Sequence, residues 1–147
     1  MEYSDLAKRV PPTYENGQDI RDRTFEFACR VVAFCEEVYA KGGVGRIMVP
    51  QLVNCSTSPA SMLEEARAAE SDADFVSKCC ISLKELREAW TRLRICQRRR
   101  IGPQEAKALV QEGSELVAII GTIIRNKRRS MAARSVGRRP RRRILNS

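Results

Sequence analysis

Apolar residues return every three or four positions along most of this chain, and they never alternate with period two for long enough to specify a strand. From residue 20, Ile20, Thr24, Phe27, Val31, Phe34 and Val38 form one helical face. Asp19 precedes them as an N-cap, and Asp22 follows in the first turn, where a carboxylate suits the positive end of the helix dipole. Gly42 and Gly43 stop the helix after Lys41. A second helix is predicted over about residues 46–69, with Pro50 in its first turn. Pro59 falls inside it, where the missing N–H predicts a kink or a locally broken ladder.

The third stretch opens on Ser71-Asp72-Ala73-Asp74, a capping-box-like start. Phe75, Cys79, Ser82, Leu86, Ala89, Leu93 and Cys96 then step four and three in alternation, with Val76, Leu83 and Trp90 running beside them at spacing seven. Gly102-Pro103 restarts the chain with proline at the first helical position. Ala106, Leu109, Gly113, Leu116, Ile120 and Ile123 follow, with Val110, Val117 and Ile124 alongside. Four helices joined by short loops imply an all-α, antiparallel up-down-up-down four-helix bundle over residues 19–129. Residues 1–18, with Pro11, Pro12, Asn16 and Gly17, read as a flexible lead-in, and residues 130–147 as an arginine-rich tail that is disordered when alone. The doubled stripes of the third and fourth helices are wider than a small bundle core requires. They mark either well-buried helices or a surface that meets another subunit.

Charge changes the picture more than composition does. The chain has 147 residues and a formal charge of +9, and the surplus is not evenly spread. Residues 98–147 carry fourteen Lys/Arg against three Asp/Glu, whereas residues 1–97 carry thirteen against fifteen. A charge gathered at one end points to a polyanionic partner. Arg94, Arg98, Arg99 and Arg100 crowd the end of the third helix, where cations complement the dipole. Arg125, Lys127, Arg128 and Arg129 leave from the opposite end of the bundle, followed by Arg134, Arg138, Arg139, Arg141, Arg142 and Arg143 in the tail. This basic run has no aromatic residue, so it can hold phosphates but stacks on bases only through guanidinium planes. The expectation is salt-sensitive, sequence-independent binding of nucleic acid, RNA ahead of DNA. Six engaged phosphates would give a log–log salt slope of roughly −4 to −5.

Other chemistry is narrowly bounded. The chain has no histidine, which removes Cys-His and Ser-His nucleophilic pairs and His-ligated metals. Its six cysteines lack C-x-x-C spacing, and Cys79 and Cys96 sit on an apolar stripe, as small buried hydrophobes do. No cofactor is implied. Glu64, Glu65 and Glu88 are the best carboxylate cluster; ion pairing with nearby arginines is the expected role, against a divalent-cation site. GGVGR at 42–46 lacks the Lys-Ser/Thr of a phosphate loop and reads as a turn. There is no apolar run long enough for a membrane span and no secretory pattern at the start, so a reduced cytoplasmic location is expected.

The stretches TFEFACRVV (24–32), QLVNCSTSPASMLEEARAAESDADFVSKCCISLKELRE (51–88) and SELVAIIGTIIRNK (114–127) resemble the bacterial four helix bundle protein family. That family includes proteins encoded within intervening sequences of large-subunit ribosomal RNA genes. It is also similar to the accessory variability determinant of diversity-generating retroelements. The resemblance is carried most specifically by Gln51, Ser58, Glu64, Glu65, Phe75 and Glu88 on the second and third helices. It implies a homo-oligomeric ring, typically a pentamer, with a basic surface, no enzymatic activity, and an accessory role beside a reverse transcriptase and its RNA. Pro59-Ala60-Ser61-Met62 departs from the family pattern, which has small residues and an asparagine before the paired glutamates. The competing expectation is a protein–protein scaffold with no nucleic-acid role of its own.

Overall fold

Four helices account for nearly all of residues 19–137, which the computed structural model describes: α1 (Ile20–Lys41), α2 (Gly43–Arg67), α3 (Asp72–Arg98) and α4 (Pro103–Gly137). The expected lead-in at 1–18 and the tail residues Arg138, Arg139, Arg141, Arg142 and Arg143 lie outside the described residues. Each helix packs on its sequence neighbours, and α4 also returns to α1, so the order is up-down-up-down around one core. Among the described residues there is no strand.

The caps are where the sequence places them. Asp19 Oδ1 accepts the Arg21 N–H at 2.9 Å, and Ser71 Oγ accepts the Asp74 N–H at 3.1 Å. These bonds satisfy donors that the first turn otherwise leaves open. The expected faces form the core: Phe27, Val31, Leu52, Leu86, Leu93, Leu109, Leu116 and Ile120 are all fully buried. Buried hydroxyls are satisfied locally or across helices, as in Ser82 Oγ donating to the Pro59 carbonyl at 3.0 Å.

α3 ends in a paired-bond C-cap. The Ile101 N–H donates to the Cys96 carbonyl at 2.9 Å and the Arg100 N–H to that of Gln97 at 3.3 Å. Arg100 occupies the left-handed position of this cap, at φ 57°, where glycine is the ordinary residue. Two residues on, Gly102 has φ 53°, and a Cβ there would stand 2.5 Å from Phe34 Cε2. Side chains are therefore excluded at 102 by both backbone and space.

Two boundaries differ from the sequence reading. α2 begins at Gly43, so Pro50 lies inside the helix and not in its first turn, and both Pro50 and Pro59 sit in one continuous helix. Pro50 is exposed, as is Arg46, whose carbonyl the missing N–H leaves open, so water can take that bond. α4 continues eight residues past 129, through residues 130–137 that were expected to be disordered. Met131 is half-buried against the core and Arg134 reaches Asp72 at the start of α3, so this overhang is anchored.

Candidate nucleic-acid interface

Arg87, Arg94 and Arg98 lie on α3 at steps of seven and four, which places them along one side of the helix. Arg125, Arg128 and Arg129 of α4 lie beside Arg87, while Arg94 and Arg98 continue the row toward the far end of α3. Between the two helices lies a groove of about 560 Å³ whose floor includes Leu83, Val117, Ala118 and Gly121 and whose rim carries Arg87, Arg125, Arg128 and Arg129. Further along the seam the Arg94 guanidinium covers the Trp90 ring, 4.6 Å from its centroid. The second stripes meet here: Leu83, Val110 and Val117 are half-buried against the bundle's own core, and Val76 and Ile124 are buried in it.

None of these six arginines, nor Arg99 or Arg100, forms an ion pair with a described carboxylate. Arg125 donates to Thr122 Oγ1 at 3.2 Å and Arg128 to Cys80 Sγ at 3.4 Å, contacts that leave the positive charge uncompensated. The seam is thus a strip of like charge that an anion would relieve.

Two of the expected contact residues are engaged otherwise. Lys127 Nζ lies 2.7 Å from Asp72 Oδ1 and over the Phe75 ring at 5.4 Å, while Arg134 holds the second oxygen of Asp72. Hydrogen bonds from Lys127 and then Arg134 hold the Asp72 carboxyl below its usual range. These cations tie the α4 overhang to the N-terminus of α3.

The residues that carry the family resemblance are largely inter-helix ties. Gln51 Nε2 donates to Glu88 Oε1 at 2.8 Å, and Arg92 donates to the same carboxylate at 2.9 Å. These two bonds, Gln51 foremost, lower the pKa of Glu88. Glu65 pairs with Lys78 at 2.8 Å and Glu64 with Arg21 at 3.7 Å. Phe75 is buried beneath Lys127, and Ser58 is half-buried on α2. Each of the three glutamates is engaged by a different cation, as the ion-pair expectation has it, and they do not converge. Among the described residues no group of three or more Cys, Asp or Glu is placed to hold a metal ion. Burial pushes the Cys35 and Cys79 thiols up to about 12 and that of Cys55 up to about 11, which keeps them protonated and unreactive at neutral pH.

Arg87 lines the same groove, and the sequence reading does not mark it. Attention to blocks of adjacent arginines passes over a lone one, and only its spacing to Arg94 and Arg98 reveals the strip.

No protein-family model matches the chain, and no curated protein does. The chain is similar to a solved structure, that of a protein of unknown function from the S23 ribosomal protein family of Bacteroides thetaiotaomicron. The two share 29% identity at a TM-score of 0.65, over 71% of this chain and 97% of that one. Among the described residues no helix is long and apolar enough to cross a membrane. The described residues therefore form an all-α fold of four helices, and the chain is similar to a structure from the S23 ribosomal protein family whose own function is unknown.

Proposed function

We propose that this protein is a non-enzymatic, cytoplasmic binder of nucleic acid, RNA ahead of DNA, which holds phosphates along the α3/α4 seam and on the basic residues beyond α4. The observation that carries the reading is the strip of arginines on α3 and α4 with no described carboxylate opposite them. Phosphate groups offer several charged acceptor oxygens, two of which the planar guanidinium fork can engage at once. Such contacts position a backbone without reading its sequence.

The resemblance to the four helix bundle protein family extends this reading. In it, the chains assemble as a homo-oligomeric, pentameric ring that multiplies weak phosphate contacts by avidity. The ring serves as an accessory to a reverse transcriptase and its RNA.

The chain has one tryptophan, and it lies under Arg94 on the proposed face. Titrating mixed-sequence RNA into the full chain at several salt concentrations, read by Trp90 fluorescence and by light-scattering mass, tests the reading. Reversible binding with a steep salt slope supports it. Absence of binding even at low salt sinks it and leaves the scaffold expectation. A truncation after Gly137 isolates the contribution of the five tail arginines. A cut after Lys127 would instead remove the Arg134 tie to Asp72 and the Met131 packing.

A further inference from the structure

The end of the bundle formed by the α1–α2 turn and the α3–α4 turn carries a second surface, which adjoins the seam at Arg94 and Arg98 and adds exposed apolar side chains to its charge. Val44 is 73% exposed, Ile47 one turn later is 80% exposed, and Ile95 on α3 is 45% exposed. Isolated exposed apolar residues are ordinary, but Val44 and Ile95 line a groove that also takes in Met48 and Ile101, and Ile47 stands one turn from Val44 outside that lining. That groove shares Ile95, Arg99 and Arg100 with an adjoining one that holds Arg94 and Arg98. Across the two, Lys41 and four arginines line the walls, and among the described residues not one Asp or Glu does.

Arg100 adds an independent observation. It holds the left-handed position of the α3 C-cap, where a side chain costs of order 1 kcal/mol relative to glycine. Strained non-glycine residues gather at functional sites. Here the strained residue is one whose side chain lines the groove.

We infer that this end is a docking site for an acidic amphipathic helix of a partner protein. Its apolar stripe would cover Val44, Ile47 and Ile95, and its flanking carboxylates would meet Arg99 and Arg100. The chemistry of the floor selects this occupant. An aliphatic surface with no aromatic ring offers a nucleotide nothing to stack on, whereas it matches the i, i+3, i+7 anchors of a helix laid in a groove. The lack of any acidic wall residue among those described sets the sign of the partner's flanks.

The test uses a synthetic helix of about 18 residues, with leucines on one stripe and glutamates beside it, and a scrambled peptide of the same composition. The full chain is titrated with each and followed by calorimetry. Saturable binding of the patterned peptide is expected, at least about tenfold tighter than the scrambled one. The double variant V44S/I47S, changed only at exposed positions, is expected to lose about tenfold in affinity with helicity and melting temperature unchanged. R99Q/R100Q is expected to weaken binding and flatten its salt dependence. Equal binding of the scrambled peptide, or unchanged affinity in V44S/I47S, overturns the inference, because charge alone would then explain capture. A fall in the light-scattering mass of V44S/I47S relative to the parent also overturns it, by showing that a second copy covers the patch.

Discussion

The two seams of α4 use the same residue type to opposite ends. On the α1 side, Arg23 forks onto Glu112 with bonds of 3.0 and 2.8 Å and reaches Glu115 at 2.8 Å, while Arg30 meets Glu105 at 3.3 Å. The Arg23 side chain is only 12% exposed, and its hydrogen bond to Glu112 leads the rise in its pKa. On the α3 side, Arg87, Arg125, Arg128 and Arg129 rim a groove with no described carboxylate in its lining, and beyond it Lys127 and Arg134 share Asp72. All three acidic residues of the basic last third thus serve the α1 seam. A sequence-level surplus becomes a surface only where pairing fails. Pairing therefore decides which arginines hold the fold and which are available to a partner.

That contrast can be broken from either side. The largest effect is expected from neutralising the strip: R87Q/R94Q/R98Q should lower the log–log salt slope of RNA binding by about 2, at about 0.7 per lost phosphate contact. At physiological salt that is a loss of tens of fold, measured by the same fluorescence titration, with the urea midpoint almost unmoved. Conversely, Arg23→Ala should leave RNA affinity nearly intact and cost about 1–3 kcal/mol of stability, since it strands two charge-assisted partners. Arg129→Ala should stay within about 0.5 kcal/mol in the same urea titration.

Acid sharpens the contrast further. Hydrogen bonds from Gln111 and then Arg23 hold Glu115 below its ordinary value. Burial raises the pKa of Asp19, but the side-chain and backbone hydrogen bonds from Arg21, together with the charges of Arg21 and Arg67, outweigh it, and the net shift is downward. Carboxyls whose folded pKa is lowered contribute their stability in full above the unfolded values of 3.8 and 4.5, and lose it as pH falls through the folded ones. Urea midpoints should therefore drop below about pH 4.5, and drop less in Arg23→Ala. The smallest effect is at the α3 C-cap. Arg100→Gly should raise stability by about 0.5–1 kcal/mol while weakening the patterned peptide. A melting curve and a calorimetric titration would show whether stability and docking trade against each other at this residue.

Much of this fold is readable from spacing alone. α1, α3 and α4 each keep an unbroken alternation of threes and fours, and the residues so marked are the buried ones. α2 is harder because proline carries two meanings. Pro50 reads as a helix start, yet an exposed proline is tolerated inside a helix that packing already holds. The end of α4 misleads in the other direction, since its charge density argues for disorder. Ala132 and Ala133 favour helix, Met131 packs and Asp72 pairs with both Lys127 and Arg134, so the helix persists to Gly137. Of the candidate site, the arginine blocks were legible and the pairing was not. Nothing in the order of residues tells that Lys127 is tied down and Arg87 is not.

The fork of Arg23 also has a kinetic meaning. The other main helix contacts join neighbours along the chain, so this topology is dominated by local contacts and belongs with fast-folding domains. The α1–α4 seam is the one that must close the whole loop of the chain, and an ion pair across it gains nothing until that closure is nearly complete. Removing it should speed unfolding and leave refolding close to unchanged, the pattern of an interaction absent from the transition state. Arg23 would then act as the latch that sets how long the bundle stays shut.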